Sequence, residues 1–178
     1  MYKWINKVEE IPDFLDLYFI DDIVKGIITR EMTVKFSDPK WMSQVASKKY
    51  HSIIDQQEEG LSRHLQNTLF VAHELLNLDY NKKKFTPYER EVIKAACLMH
   101  DYGIGIIFPH EKWNCFPKST DEKQFCKDIS HLVHRHMGQW SKVAQPDCEM
   151  SYFVHMCDMI ASRTNILIVG VDNYGFEC

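Results

Sequence analysis

Apolar residues return at three- and four-residue intervals along almost the whole 178-residue chain, and several of these stretches open on a helix-capping signal. Such a chain is confined to helices whose apolar stripes must meet in a shared core. Pro12 heads one stretch through Phe14, Leu15, Leu17, Tyr18, Ile20, Ile23, Val24 and Ile27, with Gly26 weakening its end. Asp38-Pro39 opens a short second helix through Trp41, Met42 and Val45, and Leu61, Leu65, Leu69, Ala72, Leu75 and Leu76 mark a third. Thr86-Pro87-Tyr88-Glu89 reads as a capping box, heading a helix through Val92, Ile93, Ala96, Cys97 and His100 that must stop near Gly103. Ser119 with Glu122 opens another through Phe125, Ile129, Leu132, Val133 and His136, which Gly138 is placed to end. A last long helix is expected from about Cys148 to Asn165 with Asp158 near its middle, followed by an apolar tail at 166–171 that reads equally as helix or strand. The expectation is all-α: one compact helical bundle spanning 1–178.

With 45% hydrophobic and 26% charged residues, the chain suits one domain whose core needs no staples. No apolar run approaches the roughly eighteen residues of a membrane span, and Met1-Tyr2-Lys3-Trp4 leads into mixed polar sequence rather than a signal-peptide core. A soluble, cytoplasmic protein without a membrane partner is therefore expected. Cys97, Cys115, Cys126, Cys148, Cys157 and Cys178 show no Cys-x-x-Cys spacing and read as free thiols. The 21 basic and 25 acidic residues are interspersed, for a net charge of −4, so duplex nucleic acid is disfavoured as a partner. Lys82-Lys83-Lys84 reads as a solvated loop.

The residues that carry chemistry are scattered. His64, the adjacent His100-Asp101 and Asp158 fall in or at the ends of three expected helices, as when a bundle builds a metal site from facing side chains. Asp158 sits among Met156, Cys157, Met159, Ile160 and Ala161, where an ionised carboxylate is costly unless a cation or donor answers it. His64 and His73 lie roughly 180° apart around one helix, so both cannot serve one site, and His64 is the candidate. His131, His134 and His136 cannot all converge either, and His73, His134 and His155 read as surface or hydrogen-bonded residues.

In order and in local context this set resembles the HD-domain metal-dependent phosphohydrolases. Glu59-Gly60-Leu61-Ser62-Arg63-His64 is similar to that family's Gly-Gly-Leu-x-x-His stretch, with Tyr50-His51 upstream. His136-Met137-Gly138-Gln139-Trp140 resembles its late His-x-Gly element, and Asp158-Met159-Ile160-Ala161-Ser162-Arg163 resembles the Asp-x-x-Ala-Ser-Arg ending of a nucleotidase- or phosphodiesterase-like branch. The likeness covers about 45–165 and leaves 1–44 as an N-terminal helical extension. It implies an HD-type bundle in which His64, His100, Asp101 and Asp158 hold one divalent ion, with His110 and His136, or His131 in place of one, available to a second. Mixed imidazole and carboxylate donors suit Fe, Mn, Co, Ni or Zn alike.

The resemblance further implies a small phosphorylated substrate, most naturally a nucleotide, attacked by metal-activated hydroxide. Asp101 is expected both to ligate and to orient the nucleophile. Many relatives carry a lysine where this chain has Ile104, so phosphate neutralisation is expected from His51, Arg63, Lys142 or Arg163. Tyr102 and Trp140 could stack on a base. Two alternatives stand beside the hydrolase: a di-iron oxygenase of the same fold, and a degenerate domain that binds a nucleotide or partner protein without turnover.

Overall fold

A computed structural model describes residues 3–47, 51–102, 119–138 and 144–163. Among these residues the fold is all-α: a short 3-10 turn (Val8–Glu10) followed by α1 (Ile11–Tyr18), α2 (Asp22–Phe36), α3 (Pro39–Met42), α4 (Gly60–Asn77), α5 (Asp79–Lys84), α6 (Pro87–Met99), α7 (Thr120–Arg135) and α8 (Glu149–Ala161). Side-chain caps account for half of the α-helix starts, that of α2 among them. Asp38 accepts from Lys40 N at the head of α3, and the Thr86/Glu89 capping box forms in full at the head of α6. Ser119 accepts from Glu122 N to start α7, and Gly138, at φ +53°, turns the chain beyond its end. No helix among the described residues is long and apolar enough to cross a membrane.

The central element is α4, packed against both α6 and α8, while α7 packs on α6. Leu61, Leu65, Leu69 and Ala72 of α4 join Val92, Ile93 and Ala96 of α6, Ile129 and Leu132 of α7, and Val154 and Cys157 of α8 in one core. Each fully buried leucine or isoleucine there stabilises the fold by about 1.5–3 kcal/mol before chain entropy is counted. The N-terminal helices share that core, with Phe14 and Tyr18 of α1 packing their rings on Phe70 of α4. Trp4 donates to Asn67 Oδ1 (2.7 Å), and Gln66 bonds both backbone groups of Ile5, so the first described residues are tied to α4 as well.

Four expectations need correction, the simplest being that the helix opened by Asp38-Pro39 ends at Met42, short of Val45. The stretch expected to run as one helix from Pro12 to Ile27 is two helices, broken at residues 19–21. Lys94 of α6 donates to Tyr18 O, Glu91 Oε2 accepts from Ile20 N and Asp21 N, and the Asp21 carboxylate caps α2. Partners some seventy residues away thus satisfy the backbone groups freed by the break, and Gly26 lies inside a helix that continues to Phe36. The lysine run forms the last turn of α5 rather than a loop; its positive charges complement the helix C-terminus, as Asp79 does the start. Asp158 sits in the last turn of α8, which ends at Ala161 rather than near Asn165. Residues 166–171, Gly103 and Cys115 and Cys178 lie outside the described residues, whereas Cys97, Cys126, Cys148 and Cys157 are free thiols.

Candidate metal centre

Being surrounded, α4 buries even its polar residues, and nearly all of these have partners. Arg63 bonds backbone carbonyls, Gln66 the Ile5 backbone and Ser62, Asn67 the Trp4 indole, and Thr68 donates to His64 O. His64 is fully buried too, and its Nδ1 has no hydrogen-bond partner among the described residues. A buried polar atom without a partner is costly, so its position calls for a role that offsets the cost.

The other ring nitrogen lies among further donor atoms. His64 Nε2 lies 3.2 Å from His100 Nε2 and 3.2 Å from Asp158 Oδ1. His100, the C-cap of α6, puts its Nε2 3.6 Å from Asp158 Oδ1 and 3.6 Å from Oδ2 of the next residue, Asp101. The second Asp101 oxygen faces His136 Nε2 at 3.4 Å, and His136 is the C-cap of α7. Three helix C-termini and the body of α4 therefore converge. Two donors each about 2.0–2.2 Å from one ion stand roughly 3–4 Å apart, which is the spacing seen here.

Tautomers reinforce the point. His100 Nδ1 donates to Cys97 O (2.8 Å) and His136 Nδ1 to Val133 O (2.6 Å), since a carbonyl can only accept. In its neutral form each ring would turn an Nε2 lone pair toward a carboxylate oxygen, an arrangement that repels unless a proton or a cation intervenes. Burial opposes charging of His100, but the Asp101 and Asp158 carboxylates outweigh it and push the ring up to about 9. Against the same burial, His100 and His136 hold Asp101 down at about 2, and His100 with His64 holds Asp158 well below the usual carboxylate range. The pocket is built for positive charge. Its imidazole and carboxylate donors fit a divalent transition metal, and the groups His64–His100–Asp101 and His100–His136–Asp158 each bring their donor atoms within 4.8 Å of one another.

Around this core the other candidates divide. His51 is buried, with its ring edge against His64 at 4.3 Å between centroids; its Nδ1 donates to Ser47 O and its Nε2 lies 3.4 Å from Ser162 Oγ. Burial, then the neighbouring His64, lowers its affinity for a proton. Gly60 holds this wall in place, because a Cβ there would lie 1.7 Å from Asp55 O in the loop that carries His51. Arg63 is not brought to the cluster: its guanidinium donates to Ile54 O and Glu58 O and pairs with Glu59, so it ties that loop to α4. Nor does Tyr102 offer a stacking face, since it is buried against Trp41 with ring centroids 5.3 Å apart, and burial raises its phenol far above the ordinary value. Arg163 follows the end of α8 and is exposed. His131 pairs with Asp147 away from the cluster and does not substitute as a ligand. His110, Trp140, Lys142 and Ile104 lie outside the described residues.

Two supporting residues went unassigned in the sequence. Ser162 donates to Asp158 Oδ1 (3.0 Å) one turn further along, a spacing that could have been read from Asp158 and Ser162 being four apart. His155 donates from Nδ1 to His136 O (2.7 Å), and its ring fills the space beside Gly138, where a Cβ would meet it at 2.3 Å. No local signal marks His155, because the contact depends on how α7 meets α8. No protein-family model, curated protein or solved structure matches the chain.

Proposed function

We propose that this chain is a metal-dependent phosphohydrolase of the HD-domain kind, acting on a nucleotide or a related small phosphoester. The observation that carries the reading is the meeting of His64 Nε2, His100 Nε2 and Asp158 Oδ1 from three helices, with 3.2 Å from the first atom to each of the others. His64, His100, Asp101 and Asp158 would hold the first ion, and His136, on the other oxygen of Asp101, supports a second beside it. An ion so held supplies water acidified toward neutral pH and a Lewis acid for phosphoryl oxygens.

The protein's own groups do the rest. Asp101 directs one oxygen to His100 and the other to His136, fixing the two halves of the site relative to each other. His51, with Nδ1 committed to Ser47 O, turns an accepting Nε2 toward Ser162 and is placed to take a proton from the attacking water. Ser162 fixes Asp158 Oδ1, and the exposed guanidinium of Arg163 is free to reach a phosphate by its planar fork. Burial of His64 and His100 keeps their electrostatic interactions strong.

Elemental analysis of the purified chain, joined to a panel of mononucleotides, cyclic nucleotides and short oligonucleotides with Mn, Fe, Co, Ni or Zn, tests the reading. Phosphate or nucleoside release that disappears in His64→Ala supports it; bound nucleotide left unchanged with every metal contradicts it in favour of a binding module. The third imidazole, His136, also favours a second reading, a two-iron centre that uses dioxygen to oxidise an organic substrate. Two irons with oxygen consumption and no phosphate release would establish that reading instead.

A further inference from the structure

Where α7 meets the start of α8, a second set of donors gathers without sharing a residue with the buried centre. His131 Nε2 lies 3.0 Å from Asp147 Oδ1, and a ring nitrogen of His131, a carboxylate oxygen of Asp147 and Cys148 Sγ all lie within 4.8 Å of one another. The neighbours hold these groups in place. Arg135 Nε pairs with the other Asp147 oxygen at 3.1 Å while its Nη1 donates to Gln145 O, which leaves Oδ1 turned toward His131. Ser151 Oγ accepts from the backbone N–H groups of Asp147 and Cys148 and lies 3.4 Å from Cys148 Sγ. Orienting contacts of this kind are what ligating carboxylates and thiolates receive from the groups behind them.

We propose that His131, Asp147 and Cys148 form a second divalent-cation site, of the zinc class. One imidazole, one carboxylate and one thiolate make a mixed, partly soft donor set that suits zinc or cobalt and disfavours magnesium and calcium. Cys148 stands at the N-cap of the 13-residue α8, next in the chain to Asp147. Binding releases the thiol proton to solvent as the Cys148 sulfur–metal bond forms, and water completes the fourth position. The His131 and Asp147 side chains are 44% and 40% exposed, so an ion can enter. Held there, it ties the end of α7 that carries His136 to the start of α8.

Cobalt titration of the full chain under reducing conditions tests the site, because the donors that meet at the buried centre are nitrogen and oxygen, whereas this trio includes sulfur. The expected result is a near-ultraviolet thiolate-to-cobalt charge-transfer band that zinc displaces, that vanishes in Cys148→Ser, and whose titration midpoint weakens by about tenfold or more in His131→Ala. Serine keeps a capping oxygen at the head of α8, so that variant retains the helix. No band in the unaltered chain, or a band that persists in Cys148→Ser, overturns the proposal and leaves a surface ion pair. His64→Ala is expected to keep the band while losing cobalt from the buried centre, so failure of one site is distinguishable from failure of the other.

Discussion

At the junction of α1 and α2, Lys94 and Glu91 are both buried, and the protein answers each of them: Lys94 bonds Glu91 and Tyr18 O, and Glu91 also accepts two backbone N–H groups. At the meeting of α4, α6 and α8, by contrast, ring nitrogens of His64 and His100 crowd the carboxylate oxygens of Asp101 and Asp158, and His64 Nδ1 has no hydrogen-bond partner among the described residues. His64 and His100 are as deeply buried as Lys94 and Glu91, whereas the side chains of Asp101 and Asp158 remain partly exposed. The first place closes its own hydrogen bonds and so serves the fold, whereas the second leaves a deficit of positive charge that a bound ion would fill.

The sharpest way to break that contrast is to remove a member of each set. Asp158→Ala should lower phosphate release roughly a thousandfold, the loss of about 4 kcal/mol of transition-state stabilisation, with helical circular dichroism retained. Lys94→Met should do the reverse, lowering the unfolding free energy by about 3 kcal/mol in urea denaturation because Glu91 is left buried without its cation, with metal content per folded molecule unchanged. Chelation sharpens the distinction further: metal at a hundred times the Kd of the buried centre should add about 2.7 kcal/mol through that centre to the stability of the chain and of Lys94→Met alike, and in His64→Ala this share should vanish while any share from the His131, Asp147 and Cys148 site remains. Gly138→Ala forces a side chain into a left-handed φ and onto the His155 ring, and should cost about 1–2 kcal/mol while loosening the hold on His136. The smallest expected effect belongs to Thr86→Ala, which removes the cap at the head of α6, the opposite end of that helix from His100, and should cost about 1 kcal/mol with no change in metal binding.

The contrast also explains what the sequence made legible. Caps and apolar spacing are local, so α4, α6 and α7 could be read within a residue or two of their ends. The break between α1 and α2 could not, because Glu91 and Lys94 satisfy it from another helix. The lysine run looked like a loop because charge alone does not distinguish a solvated turn from the last turn of a short helix. In the site, His64 stood out from His73 by helical geometry and Asp158 by its apolar neighbours, and the structure brings both to His100. Arg63 and Tyr102 sit beside those residues in the chain, yet one bonds the loop before α4 and the other packs on Trp41. Adjacency in sequence says little about direction in space, and a residue one position along a helix points about 100° away.

The central claim is that a cation belongs between these imidazoles and carboxylates. Crystals of the metal-loaded chain, measured at the absorption edge of the bound metal, test it most directly. An anomalous peak is expected about 2.0–2.2 Å from His64 Nε2, His100 Nε2 and oxygens of Asp101 and Asp158. Metal-replete crystals with no peak at that position, and with the four side chains bonded only to one another, would contradict it.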